Sequence, residues 1–371
     1  MDISLKMCAD DLLVGLTLNQ HQLILGAVGV GKTDVARQTA DVWAKQEYGL
    51  AKCPIIDRRV SQFLGYDTSM PMPNTATGLI DTYQPGWLPR VERDGPVGVL
   101  LLDEYTDGKP DTLAAINQLV LEGRLGDYVF PDENMNPDYH WRIIGTGNRA
   151  SDKAHAQKIS RAASNRWTIL NIAIDVDAWI DWATANLLPV LVAYVQTAVM
   201  QLRGKDADIT QAIHIYPPAG TDAVAFKTPR SLARCDKYFR MASQPNDTQL
   251  RRLLAHNVGQ ECADDIMNFL VSYRLAPNIA AILADPVNGP MPRGPSENFA
   301  VAIGLVSRLT LANLSTINVY VKRLAANYQA TFWSNALAKD VDKDTRVSVY
   351  QATPEHVAYL IASRDADADA A

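Results

Sequence analysis

The stretch Gly26-Ala27-Val28-Gly29-Val30-Gly31-Lys32-Thr33 constrains this chain more than any other. It follows an apolar run, Leu23-Ile24-Leu25, that reads as a buried strand. It opens a helical pattern that runs from Lys32 to Glu47 and ends near Gly49. Glycines let consecutive N–H groups curl toward phosphate oxygens, which side chains would obstruct. The helix N-terminus behind the loop adds partial positive charge. Lys32 would then reach the β- and γ-phosphates, and the Thr33 hydroxyl would ligate Mg²⁺. Chance alone yields this pattern in roughly one chain in a hundred of this length. The strand–loop–helix context lowers that further.

A second apolar run, Val97 to Leu102, ends in Asp103-Glu104. Strands that crossover helices bury on both faces read this way, so the sheet is expected to be parallel. In such sheets ligands lie beyond the carboxyl ends of the strands. Asp103 and Glu104 would fall beside the phosphates. Asp103 would hold Mg²⁺ through water, and Glu104 would polarise an attacking water. A third apolar strand, Arg142 to Gly147, ends in Asn148, which could position the same water. Arg166 just precedes the strand Trp167–Ile172, at the edge opposite Lys32. From there it could serve a neighbouring subunit's nucleotide more easily than its own. Thr228-Pro229-Arg230 suits a helix start, which would project Arg230 from a first turn.

Between these landmarks, residues 61–96 are rich in Pro, Gly and Thr and read as a long connection, functional or disordered. Residues 123–141 read as a hairpin insertion. Beyond Asp175 the patterns are helical, with a Pro/Gly linker at 286–295, a helical stretch at 296–338 and a short helix near 354–362. The four cysteines, Cys8, Cys53, Cys235 and Cys262, lack metal-ligand spacing and read as buried free thiols. The net charge of −6 argues against a dedicated nucleic-acid binder. No run of apolar residues looks long enough for a membrane span, and the N-terminus lacks a signal-peptide pattern, so a cytoplasmic location is expected.

In order and spacing these pieces resemble an AAA+ ATPase of the MoxR-like branch. The resemblance covers about residues 10–245. It includes Pro85-Gly86-Trp87-Leu88-Pro89 before the acidic strand, Asn165-Arg166-Trp167, and the acidic-Trp pattern Asp177-Ala178-Trp179-Ile180-Asp181-Trp182. Gly145-Thr146-Gly147-Asn148 departs from the commoner Thr-Gln-Asn of that group. The resemblance implies an α/β AAA+ P-loop domain with a parallel sheet flanked by helices (1–174), a helical lid (175–280) and a helical C-terminal extension (281–371). It implies ATP and Mg²⁺ as cofactors and a homo-oligomer, a hexameric ring with nucleotide at its interfaces. Arg166 would act in trans, with Arg161 kept beside it as a candidate, and Arg230 would sense the γ-phosphate. The two insertions would face a central pore or a partner. A protein client and a partner with a von Willebrand A domain would follow. The alternatives are a nucleic-acid-directed motor of helicase or restriction type and a nucleotide-gated scaffold. No NKxD segment supports a GTPase.

Overall fold

The computed structural model describes residues 2–68, 70–149, 161–215, 224–243, 245–339 and 343–355. The chain divides into two compact units, Met1–Ile174 and Asp175–Ala371. The first unit begins with α1 (Leu5–Thr17), β1 (Gln22–Gly26), α2 (Lys32–Tyr48) and β2 (Ile55–Arg59). A hairpin, β3 (Met70–Asn74) and β4 (Leu79–Tyr83), comes next, then α3 (Val91–Asp94), β5 (Val97–Asp103) and α4 (Pro110–Glu122). The short pair β6 (Arg124–Leu125) and β7 (Tyr128–Val129), β8 (His140–Gly147), α5 (Arg161–Ser164) and β9 (Thr168–Ile172) complete it.

The sheet has five strands in the order β2-β5-β8-β1-β9. Every pairing in it is parallel. Side chains alternate across a strand, so successive residues of β5 enter different cores. Val99 and Leu101 join Leu12, Trp43 and Ile144 beneath α1 and α2. Leu100 and Leu102 join Ile116, Leu119 and Ile143 under α4. Each such side chain contributes about 1.5–3 kcal/mol by leaving water. Both faces being covered explains why β5 reads as an unbroken apolar run. β8 lies between the strand that carries the glycine loop and the strand that carries the carboxylates.

Residues 61–96 are more ordered than their composition implies. Met70-Pro71-Met72-Pro73 forms one arm of the antiparallel hairpin β3–β4. Proline lacks an N–H, but an exposed two-stranded ribbon demands few ladder donors from it. The 123–141 insertion carries the expected turn at Gly126 and strand at Tyr128.

Arg142 pins that insertion to the sheet. It is 1% exposed and lies in β8. Its Nε donates to the Leu16 carbonyl at 2.6 Å, and its two Nη atoms donate to the Glu133 carboxylate at 2.8 and 2.5 Å. Its guanidinium also stands 5.3 Å from the centre of the Trp43 ring. Burial pushes the Glu133 carboxyl up, but hydrogen bonds from Arg142 and His140 outweigh that and hold it below 4.5.

The second unit is helical among the described residues. It contains α6 (Val176–Asn186), α7 (Pro189–Arg203), α8 (Pro229–Phe239), α9 (Asp247–Val258) and α10 (Gln260–Arg274). After these come α11 (Ile279–Ala284), α12 (Pro295–Ser307), α13 (Leu314–Val321), α14 (Ala326–Ala338) and α15 (Lys343–Ala352). α12 packs on α7 and α10, and α14 packs on α12 and α6, so helices from both sides of residue 280 share one core. Against expectation, Gln260–Ala284 has the length and apolarity of a membrane span. The backbone breaks it between Arg274 and Ile279, around Pro277. The inner face of α10, including Ile266, Met267 and Leu270, is buried in the helical core. The four cysteines are buried and free. The helix expected near 354–362 falls mostly outside the described residues.

Replacing Arg142 with Ala should destabilise the first unit by about 3 kcal/mol, because it strands a carboxylate and a buried carbonyl. Urea unfolding followed by near-UV circular dichroism measures this. Glu133 has a depressed folded pKa, so the pair's contribution is complete above 4.5 and disappears as pH falls through the lower folded value. The stability gap between the Arg142→Ala and wild-type proteins should therefore narrow at acid pH, leaving the share of the Leu16 carbonyl.

Candidate functional site

β1 is buried along its whole length and delivers the glycine loop to the carboxyl edge of the sheet. Gly29 and Gly31 have φ of 78° and 103°, a region that L side chains rarely adopt. Gly26 has another reason to lack a side chain: a Cβ there would stand 3.1 Å from the Ile172 carbonyl of β9. Val30 is 4% exposed and anchors the loop in the core beneath α1 and α2, leaving its backbone as the part that can face a ligand. Val28 is half-buried.

Lys32 opens α2 and its ammonium bridges the loop. It donates to the Gly26 and Ala27 carbonyls, each at 2.8 Å, and to Asn148 Oδ1 at 3.0 Å. The end of β8 is thereby tied to the loop after β1. Thr33 Oγ1 lies 3.3 and 3.4 Å from the two oxygens of Asp103. The Asp103 carboxylate also accepts from Thr146 Oγ1 and, at 3.0 Å, from the Glu104 N–H. Three elements, α2, β5 and β8, thus meet on one carboxylate.

Glu104 has φ 55° and ψ 36°, left-handed geometry for a residue with a Cβ. Such a conformation costs on the order of 1 kcal/mol and persists only where neighbours enforce it. It ends the strand abruptly and starts a 3₁₀ turn, Tyr105–Asp107. The Glu104 carboxylate accepts a hydrogen bond from Ser61 Oγ, in the turn Val60–Gln62 just past β2. Asn148 is held from behind, where its N–H donates to Thr106 Oγ1 at 2.9 Å. Gly147 makes room for that contact, since a Cβ there would fall 2.6 Å from Thr106 Cγ2.

The structure therefore gathers Lys32, Thr33, Asp103, Glu104 and Asn148 at one sheet edge. It does not bring Arg166 to them. Thr168 pairs with Gln22, the first residue of β1, so Arg166 precedes β9 at the far edge of the sheet. The side chain of Arg161 lies outside the described residues. Arg230 belongs to the second unit, where it is exposed in the first turn of α8 behind the Thr228 N-cap. Sequence reasoning missed Ser61, Thr106 and Thr146. The available signal was a hydroxyl one step past the strand that neighbours β5, and hydroxyls flanking each polar strand tip.

Among the described residues no group of three His, Cys, Asp or Glu could hold a metal. Mg²⁺ beside a nucleotide needs less from the protein, since phosphates and waters fill most positions. Thr33 and Asp103 are adjacent hard-oxygen donors and fit that role.

A glycine loop between a buried parallel strand and a helix, facing an acidic strand tip across the same edge, defines a P-loop nucleotide-binding domain. The parallel sheet flanked by helices, followed by a helical C-terminal region, is the fold class that the sequence implies. No protein-family model matches the chain. It is 30% identical over 130 residues to chaperone protein ClpB 2 of Parasynechococcus marenigrum, covering 35% of this chain and 13% of that one. It is 34% identical over 105 residues to the mitochondrial disaggregase of Bos taurus, covering 28% of this chain and 15% of that one. These sequence relatives are AAA+ ATPases, and the match spans a small fraction of their length. Among solved structures, the RuvB Holliday junction branch migration motor of Thermotoga maritima aligns with a TM-score of 0.35 and 15% identity, over 86% of each chain. NtrX from Brucella abortus in complex with ATP aligns with a TM-score of 0.33 and 13% identity, over 71% of this chain and 67% of that one.

Gly147→Ala should cost about 1–3 kcal/mol of stability, since a Cβ has no space beside Thr106. Thermal melts measure the loss. The companion Thr106→Ser removes the methyl at 2.6 Å but leaves the hydroxyl at 2.9 Å, and should recover part of it.

Proposed function

We propose that this chain hydrolyses Mg²⁺-ATP as one subunit of a ring, a hexamer, and uses the cycle to remodel a protein client. The observation that carries this reading is the gathering of Lys32, Thr33, Asp103, Glu104 and Asn148 at one edge while Arg166 stands at the other. Such a site has a base, a phosphate-binding cation and metal-side oxygens. A neighbour's Arg166 would add a second cation, beside Lys32, for the charge that develops on the transferring phosphoryl group.

The residues divide the work as follows. The loop N–H groups and Lys32 hold the phosphates, and Lys32 must release the Gly26 and Ala27 carbonyls to do so. Glu104 takes a proton from the attacking water, and Asn148 orients that water. Mg²⁺, held at Thr33 and through Asp103, would neutralise charge between the β- and γ-phosphates. Arg230, on the second unit, would report the γ-phosphate to the helices. The order of motifs supports placing the chain in the MoxR-like branch, with a von Willebrand A-domain protein as partner and the cytoplasm as its compartment. The exposed hairpin β3–β4 suits client contact: Leu79 and Ile80 are 66% and 73% exposed.

Glu104→Gln should bind ATP with near wild-type affinity yet lose turnover, while Lys32→Ala should lose binding; a fluorescent ATP analogue and a phosphate-release assay separate the two. Wild-type turnover in Glu104→Gln would sink the base assignment. Arg166→Ala should spare binding and lower turnover by about 10³-fold or more. Rings mixed from Arg166→Ala and Lys32→Ala subunits should regain partial activity, because an intact site forms where one kind lends its arginine to the other; no recovery at any ratio would exclude a shared site. Ile80→Asp should leave basal turnover intact and abolish its stimulation by client.

A further inference from the structure

The second unit contains a cavity of about 470 Å³ between α7, α10 and the segment ahead of α8. Tyr194 and Lys227 line its depths, each 5% exposed. Gln201, Lys205, Asp265 and Asn268 line its more open side. Buried lysines are almost always paired. The Lys227 ammonium instead stands 6.0 Å from the centre of the Tyr194 ring and has no hydrogen bond or ion pair with any described residue. An ammonium so placed is short of the compensation that burial demands. Two lysines against one carboxylate give the lining a positive balance.

We propose that this cavity is a binding site for a small organic anion, bearing a phosphate or a carboxylate, that pairs with Lys227 in its depths and with Lys205 at its mouth. The volume is that of a small-molecule site, and the polar groups are few and convergent. Tyr194 and Phe269 supply the apolar part of the lining. The position also carries a consequence for the fold. Lys227 directly precedes Thr228, the N-cap of α8, and its carbonyl accepts the Ile215 N–H at 3.0 Å. An anion on Lys227 would therefore brace the start of the helix that carries Arg230.

Pyridoxal phosphate provides the probe. Its aldehyde condenses with a neutral amine, losing water to form an imine that borohydride reduces to a stable secondary amine. Burial depresses the Lys227 pKa, against the pull of Cys262, Asp265 and Glu261, and so favours the reactive neutral form. Full-length protein is labelled with pyridoxal phosphate or with phosphate-free pyridoxal, reduced, and mapped by peptide mass spectrometry, which separates Lys227 from Lys32. The expected result is that labelling at Lys227, taken relative to the exposed Lys6 of the same digest because free pyridoxal closes to an internal hemiacetal, is at least tenfold greater with pyridoxal phosphate than with pyridoxal, and falls several-fold in Lys205→Ala. Protection by inorganic phosphate identifies a phosphate-bearing ligand, and protection by citrate a carboxylate-bearing one. Equal labelling by the two aldehydes, or protection by neither anion, overturns the site. Lys227→Met must lose the label while keeping its circular dichroism spectrum. If that variant fails to fold, the Lys205→Ala and competition arms still decide the matter.

Discussion

A carboxylate at the end of a strand is costly to bury unless several donors converge on it, and Asp103 is where this requirement is met. Thr33, Thr146 and the Glu104 N–H all reach it, from α2, β8 and its own chain. That convergence is possible because β8 lies between β1 and β5. Were β1 and β5 direct neighbours, Asn148 could not touch Lys32 from the same edge that Thr146 uses to touch Asp103. The strand order therefore fixes which polar tips can share one ligand. The apolar alternation of β5 into two cores fixes the height at which they meet.

The tips themselves were legible because each ends an apolar run. Leu23-Ile24-Leu25, Val97–Leu102 and Ile143–Ile144 are buried on both faces, and a polar residue after such a run has few places to be except the sheet edge. Their supporting residues were not legible for a physical reason. Ser61, Thr106 and Thr146 are small hydroxyl residues whose role depends on register between strands far apart in sequence. Nothing in their local pattern separates a hydroxyl that grips a carboxylate from one that caps a turn. Arg142 was concealed in another way. It begins an apolar strand, where a charge usually marks the solvent boundary, yet it is buried because Leu16, Glu133 and Trp43 surround it.

The long 61–96 connection shows the opposite error. Proline-rich composition argued against strand, but β3–β4 is a ribbon outside the main sheet, where a missing N–H costs little. The helical unit was harder still. Its helices follow from periodicity, whereas the break between α10 and α11 depends on Pro277 interrupting a run long and apolar enough for a membrane. Pro277 marks the break, and the buried face of α10 shows what that apolarity is for.

The Ser61–Glu104 contact links the site to the hairpin through covalent chain. Ser61 sits between β2 and the segment that leads into β3, and Glu104 is held in a conformation that its neighbours must enforce. The Glu104 carboxylate accepts from Ser61 Oγ, so part of its lone-pair capacity is occupied while that contact lasts. Ser61 lies nine positions ahead of Met70, the first residue of the exposed ribbon. Ser61 is joined to that ribbon by a short run of chain, whereas Lys32 and Thr33 sit on α2 and Asn148 follows β8. The architecture thus sets the residues proposed to hold a nucleotide on α2 and at the end of β8, and the Ser61 contact to Glu104 on the segment that leads into the ribbon.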